Sequence, residues 1–128
     1  MISNDSKKES IEVINLTPHA ITMVRETETG LETVKVYKPS GFQARCASKT
    51  EVIGSINGTP ITKTVFGAPC LIGPDGNKTP LPEADEHTVY IVSALMARAC
   101  NRPDFVITNE SVRDENGRIV GCKSFGIV

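Results

Sequence analysis

The sequence has no Trp, two Tyr and four Phe, so its core must close on tightly packed aliphatic side chains rather than on large rings. It has no charge excess either: 14 Lys+Arg meet 15 Asp+Glu, for a formal net charge of −1. That balance excludes the basic footprint with which proteins hold duplex nucleic acid, but leaves room for a local basic pocket sized to a small anion. Long apolar runs are missing. The longest near-continuous one, Val89 to Ala97, is broken by Ser93 and is about half of what a membrane-spanning helix needs. Residues 1–10 hold Asp5, Lys7, Lys8 and Glu9 and no apolar segment, which reads as a disordered lead rather than a signal peptide or membrane anchor.

Cysteine pairs at metal-ligand or redox spacing are also missing. Cys46, Cys70, Cys100 and Cys122 are widely separated, with no CxxC and no His–Cys neighbour, so the expectation is reduced thiols and no metal. The two histidines, His19 and His87, have no ligand neighbours at useful spacing. No GxSxG, HExxH, Walker-type or dinucleotide fingerprint occurs, and no activated nucleophile or acid–base pair stands out. The residues therefore point away from an enzyme and away from a cofactor.

What is present is β-forming. Val, Ile and Thr number 12 each, and β-branched side chains lose χ1 freedom in helices but pack well on a pleated surface. At 128 residues the chain suits one domain, here residues 11–128. Ile11 to Leu16 reads as a first strand, ended by Thr17-Pro18-His19, because proline cannot donate to a ladder. Ala20 to Glu26 and Glu32 to Tyr37 flank a Gly30 turn. Phe42 to Ala47 reads as a further strand. Glu51 to Ile56 and Ile61 to Phe66 flank Asn57-Gly58, which accepts the two positive φ values of a type I′ turn, with Thr59-Pro60 expected to widen it.

Gly67 to His87, with Pro69, Pro74, Pro80 and Pro82, reads as a long loop, either a lid or a solvated connector. Thr88 to Val92 reads as a strand, Ser93 as the N-cap of a helix to about Asn101, and Phe105 to Thr108 as the next strand. A last hairpin turns at Asp114-Glu115-Asn116-Gly117. The expected class is α+β: a mainly antiparallel sheet, curling toward a barrel, with one or two short helices.

Four of the six arginines, Arg98, Arg102, Arg113 and Arg118, fall in the last quarter of the chain, with Lys123 beside them. Arg98 and Arg102 share a face if the helix continues, and Arg113 and Arg118 bracket the last turn. Guanidinium forks match phosphate bidentately. The N–H groups at the start of the Ser93 helix and the ring of Tyr90 could serve a nucleotide beside them. The bland alternative pairs these arginines with Asp104, Glu110, Asp114 and Glu115.

Three segments in order, Ile14-Asn15-Leu16-Thr17-Pro18-His19-Ala20-Ile21, Val89-Tyr90-Ile91-Val92-Ser93-Ala94-Leu95, and Val112-Arg113-Asp114 through Gly117-Arg118-Ile119-Val120-Gly121-Cys122, resemble small phage proteins of the Thoeris anti-defence 1 family. The resemblance covers residues 11–126. It implies a sponge in the host bacterial cytoplasm. Such a protein binds cyclic ADP-ribose isomers made by TIR-domain enzymes, and in some members cyclic oligonucleotides of CBASS defence, without cleaving them. It further implies a homo-oligomer, dimeric or higher, with pockets near subunit interfaces. By the same resemblance Arg113 and Arg118 bind phosphate and Tyr90 stacks, with Asn101 and Arg102 completing the ligand-binding set; Thr17-Pro18-His19 matches as well but needs no ligand to explain it. The rival classes are a small phage structural or assembly protein without a small-molecule ligand, and a nucleotide-processing enzyme.

Overall fold

The structure, a computed structural model, describes residues 10–128. Its elements are β1 (Glu12–Asn15), β2 (Ile21–Thr27), β3 (Gly30–Tyr37), β4 (Gln43–Ile56), β5 (Thr59–Ile72), β6 (Lys78–Thr79), β7 (Thr88–Ile91), α1 (Ala94–Cys100), β8 (Phe105–Arg113) and β9 (Ile119–Gly126). The chain is α+β, mainly sheet with one short helix. Apart from Ser10, the expected disordered lead lies outside the described residues.

Six strands form one sheet in the order β1-β7-β8-β9-β2-β3, and three form a second, β4-β5-β6. The larger sheet curls until its two edge strands meet, a nearly closed barrel. Asn15 fastens this seam. Its Nδ2 donates to the His19 carbonyl at 2.7 Å and the Tyr37 carbonyl at 3.0 Å. Its Oδ1 accepts from the Thr17 N–H at 2.9 Å and the Thr17 hydroxyl at 2.6 Å. The amide is 2% exposed, and both donors and both acceptor positions are engaged, which is what makes its burial tolerable. The main chain adds a bond from Ser40 N to Asn15 O at 3.0 Å.

β7 is buried along its whole length. Val89 and Ile91 pack with Val106 on one face, while Tyr90 and Val92 pack with Met96, Ala97 and Phe105 on the other. A strand covered on both faces reads as a continuous apolar run, as Thr88 to Val92 does. The Ser93 hydroxyl accepts from Met96 N at 3.2 Å and caps α1. Asn101 ends the helix with φ 51°, in the left-handed region that Asn tolerates. The crossover through α1 makes β7 and β8 parallel, and β1–β7 and β9–β2 are parallel as well. The hairpins β2–β3, β4–β5, β5–β6 and β8–β9 supply the antiparallel majority.

Three sequence expectations need correction. Phe42–Ala47 and Glu51–Ile56 are not separate strands: β4 runs unbroken from Gln43 to Ile56. Ser48, Lys49 and Thr50 are exposed, so this stretch extends without the apolar alternation that marks a half-buried strand. Nor is residue 67 onward all loop. β5 continues to Ile72 and pairs with β6, and Pro69 is accommodated beside a register shift between Cys46 and Ser48. The Asn57-Gly58 turn has φ 51° and 82°, and Ile56↔Thr59 and Ser55↔Pro60 pair directly, so the proline does not widen it. From Ala47 to Phe66 every residue is exposed except Val65, which is half-buried.

Candidate functional site

The β8–β9 turn is built by one side chain. Asp114 Oδ1 accepts from Asn116 N at 2.9 Å and Arg118 N at 3.0 Å, and Asp114 N donates to Arg118 O at 2.9 Å. Gly117 supplies a φ of 79° that would strain another residue. These bonds turn Asp114 Oδ1 toward the loop's own amides, and its carboxylate makes no ion pair with the flanking guanidinium groups. Arg113 Nη1 donates to Gly117 O at 2.7 Å. Among the described residues no carboxylate lies within ion-pair distance of Arg113 or Arg118. Both are exposed, two guanidinium groups at one hairpin end, beside Asp114 and Glu115 but not in ion pairs with them.

Below this turn, between β2 and the β8–β9 hairpin, lies a cavity of about 200 Å³ lined by Thr22, Thr108, Ser111, Ile119 and Gly121, among others. A Cβ on Gly121 would stand 2.9 Å from Thr22 O and 2.9 Å from Val24 Cγ1, so the close approach of β9 to β2 depends on glycine there. Lys123 is not part of the unpaired cationic group. It pairs with Glu26, which holds the Glu26 carboxyl below, and the Lys123 ammonium above, their ordinary ranges.

The remaining sequence candidates sit elsewhere. Tyr90 pairs with Phe105 at the start of β8, whereas Arg113 is the last residue of that strand. The intervening strand spans roughly 26 Å at about 3.3 Å per residue. Tyr90, expected as an aromatic wall, is 7% exposed and meets the Phe105 ring edge-on at 6.1 Å. It offers no open face on which a base could stack, because both faces of β7 are covered. Arg102 does not share a helical face with Arg98, since α1 ends at Cys100. Its fork is already committed: Nε to Asp104 Oδ1 at 2.9 Å, Nη2 to Asp104 Oδ2 at 2.6 Å and Nη1 to the Pro82 carbonyl at 2.6 Å, over the Phe105 ring at 4.5 Å. The acid-pairing alternative therefore describes Arg102 and not Arg113 or Arg118. Asn101 is the helix C-cap, its N–H donating to Ala97 O at 2.9 Å. The cavity-lining Thr108 and Ser111 were not singled out from sequence; their signal, short polar residues in an otherwise Ile/Val-rich strand, is weak.

All four cysteines are free. Burial pushes the Cys122 thiol up, and burial with the nearby Cys46 does the same at Cys100, which keeps both protonated and unreactive at neutral pH. Among the described residues, no three His, Cys, Asp or Glu side chains gather to hold a metal ion, and no helix is long and apolar enough to cross a membrane.

Burial, aided by the charge of Asp104, raises the Tyr90 hydroxyl above the ordinary phenol range. The folded protein thus keeps this proton at a pH where the unfolded chain has released it. Above about pH 10, the ordinary phenol value, the unfolded state binds fewer protons and stability falls as pH rises. Urea titrations from pH 8 to 11.5 should show that decline, and Tyr90→Phe should make it shallower. An unchanged slope in the variant would mean that Tyr90 ionises as freely in the fold as outside it.

A scan of the chain against protein-family models and searches against curated proteins and solved structures found no match.

Proposed function

We propose that this is a phage anti-defence protein of the Thoeris anti-defence 1 kind. On this reading it acts in the bacterial cytoplasm as a homo-oligomer that sequesters cyclic ADP-ribose-type signals, and cyclic oligonucleotides where they fit, without cleaving them. The observation that carries the reading is the pair Arg113 and Arg118, both exposed at one hairpin end and, among the described residues, outside any ion pair. A pyrophosphate needs guanidinium forks and does not need a globally basic chain, which agrees with a net charge of −1. Tyr90, Asn101 and Arg102 support the fold around the core rather than the ligand.

A charge-assisted hydrogen bond contributes about 1.5–3 kcal/mol, so Arg113→Ala and Arg118→Ala should each weaken binding on the order of tenfold to a hundredfold. Titration calorimetry with the product of a TIR-domain enzyme measures this. Heating the complex and recovering intact signal separates a sponge from an enzyme. Two variants with wild-type affinity would move the site away from this hairpin, and recovery of a cleaved product would replace sequestration by catalysis.

A second reading, a small phage assembly protein without a small-molecule ligand, is favoured by one feature: the β4–β5 hairpin exposes Val52, Ile53 and Ile56. No heat released on mixing with any cyclic nucleotide, together with large assemblies in solution, would select it.

A further inference from the structure

We infer that the outer edge of β4 is a self-association surface, on which a second copy of this chain adds its own β4 antiparallel about a two-fold axis near Thr50. The β4–β5 hairpin projects as a two-stranded ribbon, and such a ribbon is marginal in water without further pairing. Its two edges differ. Ile56↔Thr59 closes the turn, so the next pair, Ser55↔Pro60, turns its backbone groups outward, and Pro60 leaves the outer edge of β5 without a donor. Pro69 lies on β5 as well, whereas β4 contains no proline. Among the described residues, main-chain bonding of β4 outside its ladder with β5 is confined to its base, where Ala44 N donates to Leu16 O at 3.1 Å. Between the register shifts at Cys46/Ser48 and Val52/Gly54, Ser48 to Val52 forms a regular edge with no proline, the kind that pairs with another chain.

The charges select a second copy as occupant. Alternation along the register places the outward backbone groups at Ser48, Thr50 and Val52. Pairing these with their two-fold mates about Thr50 sets Thr50 against Thr50 and Ser48 against Val52. It also sets each Lys49 directly opposite the other copy's Glu51, in the non-hydrogen-bonded positions where side chains approach most closely. Both residues are exposed and on one face, their ends 3.4 Å apart within a single strand, so the exchange across copies costs no desolvated charge. The same pairing on β5 would oppose Lys63 with no acid, since that strand has none.

The test is run without nucleotide, so its outcome is independent of the ligand reading. Sedimentation equilibrium of the full chain should show a dimer or an even-numbered assembly. Glu51→Lys alone, and Lys49→Glu alone, should each weaken association at low salt at least tenfold by placing like charges opposite one another. Mixing the two variants restores Lys opposite Glu at both positions, and should recover association to within about twofold of wild type. Hydrogen exchange at the Thr50 and Val52 amides should slow with rising protein concentration. A monomeric wild type, variants that associate as wild type does, a mixture that fails to recover, or exchange independent of concentration would each overturn the assignment.

Discussion

Asn15→Ala is expected to be among the most damaging single substitutions in this chain, costing about 2–4 kcal/mol and lowering Tm on the order of 10 °C. The side chain makes four hydrogen bonds while 2% exposed, and they join β1, the Thr17–His19 turn and the end of β3. Truncation leaves the Tyr37 carbonyl and the Thr17 N–H unmatched at a half-buried seam, and an unmatched buried group costs its full desolvation penalty. Asn15→Asp makes the test sharper. It keeps the acceptor for Thr17 but sets a carboxylate against two carbonyl oxygens, so it should destabilise strongly at pH 7 and less near pH 3, where a protonated acid can donate. Denaturant midpoints at the two pH values measure this. A variant as stable as wild type would show that the seam holds on its main-chain bonds alone.

Arg102→Ala should cost about 3 kcal/mol, the low end for opening a buried ion pair, because its side chain is 21% exposed against 7% for Asp104. Its removal strands the Asp104 carboxylate, frees the Pro82 carbonyl and uncovers the Phe105 ring. Arg102→Lys should rescue little, since an ammonium cannot reproduce a two-pronged contact while also reaching Pro82. In a double-mutant cycle, Asp104→Asn should cost less in the Arg102→Ala background than in wild type. Ligand affinity of the folded variant should stay within about twofold of wild type, because these donors are already engaged. A hundredfold loss of affinity at unchanged stability would return Arg102 to the binding site.

The parts of the fold that sequence made legible are those decided within a few residues. Asn57-Gly58 states its turn because few other dipeptides take two positive φ values, and Ser93 states a helix start because its hydroxyl reaches Met96 N. The Thr88–Val92 run announced a strand but concealed its setting: burial on both faces hides Tyr90, and nothing local says that a second layer, α1, will cover that ring. The polar Ser48-Lys49-Thr50 stretch concealed a strand for the opposite reason, having no buried face to write a pattern. Arg113 and Arg118 were visible as a pair around a turn. That they escape their acidic neighbours depends on Asp114 turning inward to its own backbone, a choice made by the geometry of the loop. The motif Ile14 through His19 was conspicuous in sequence, and its asparagine proves to be the clasp of the barrel.

The order of the large sheet has a consequence for how the chain acquires its shape during synthesis. In the strand ladder, β2 and β3 join β8 through β9, by way of Met23↔Cys122 and the pairs from Ile107↔Gly126 to Arg113↔Ile119. Until residues 119–126 leave the ribosome, the β2–β3 hairpin has no neighbour on that side, and Met23 and Val24, buried in the finished fold, stay uncovered in a ribbon of little independent stability. Local units, the hairpins and the β7–α1–β8 crossover, can form as they emerge, but the barrel must close afterwards by bringing together segments nearly the whole chain apart. Such distant pairing makes folding slow relative to helical proteins of this size. For this chain the large sheet cannot be completed before β9 arrives and docks, and a nascent chain stopped just short of it is a half-sheet with an open edge.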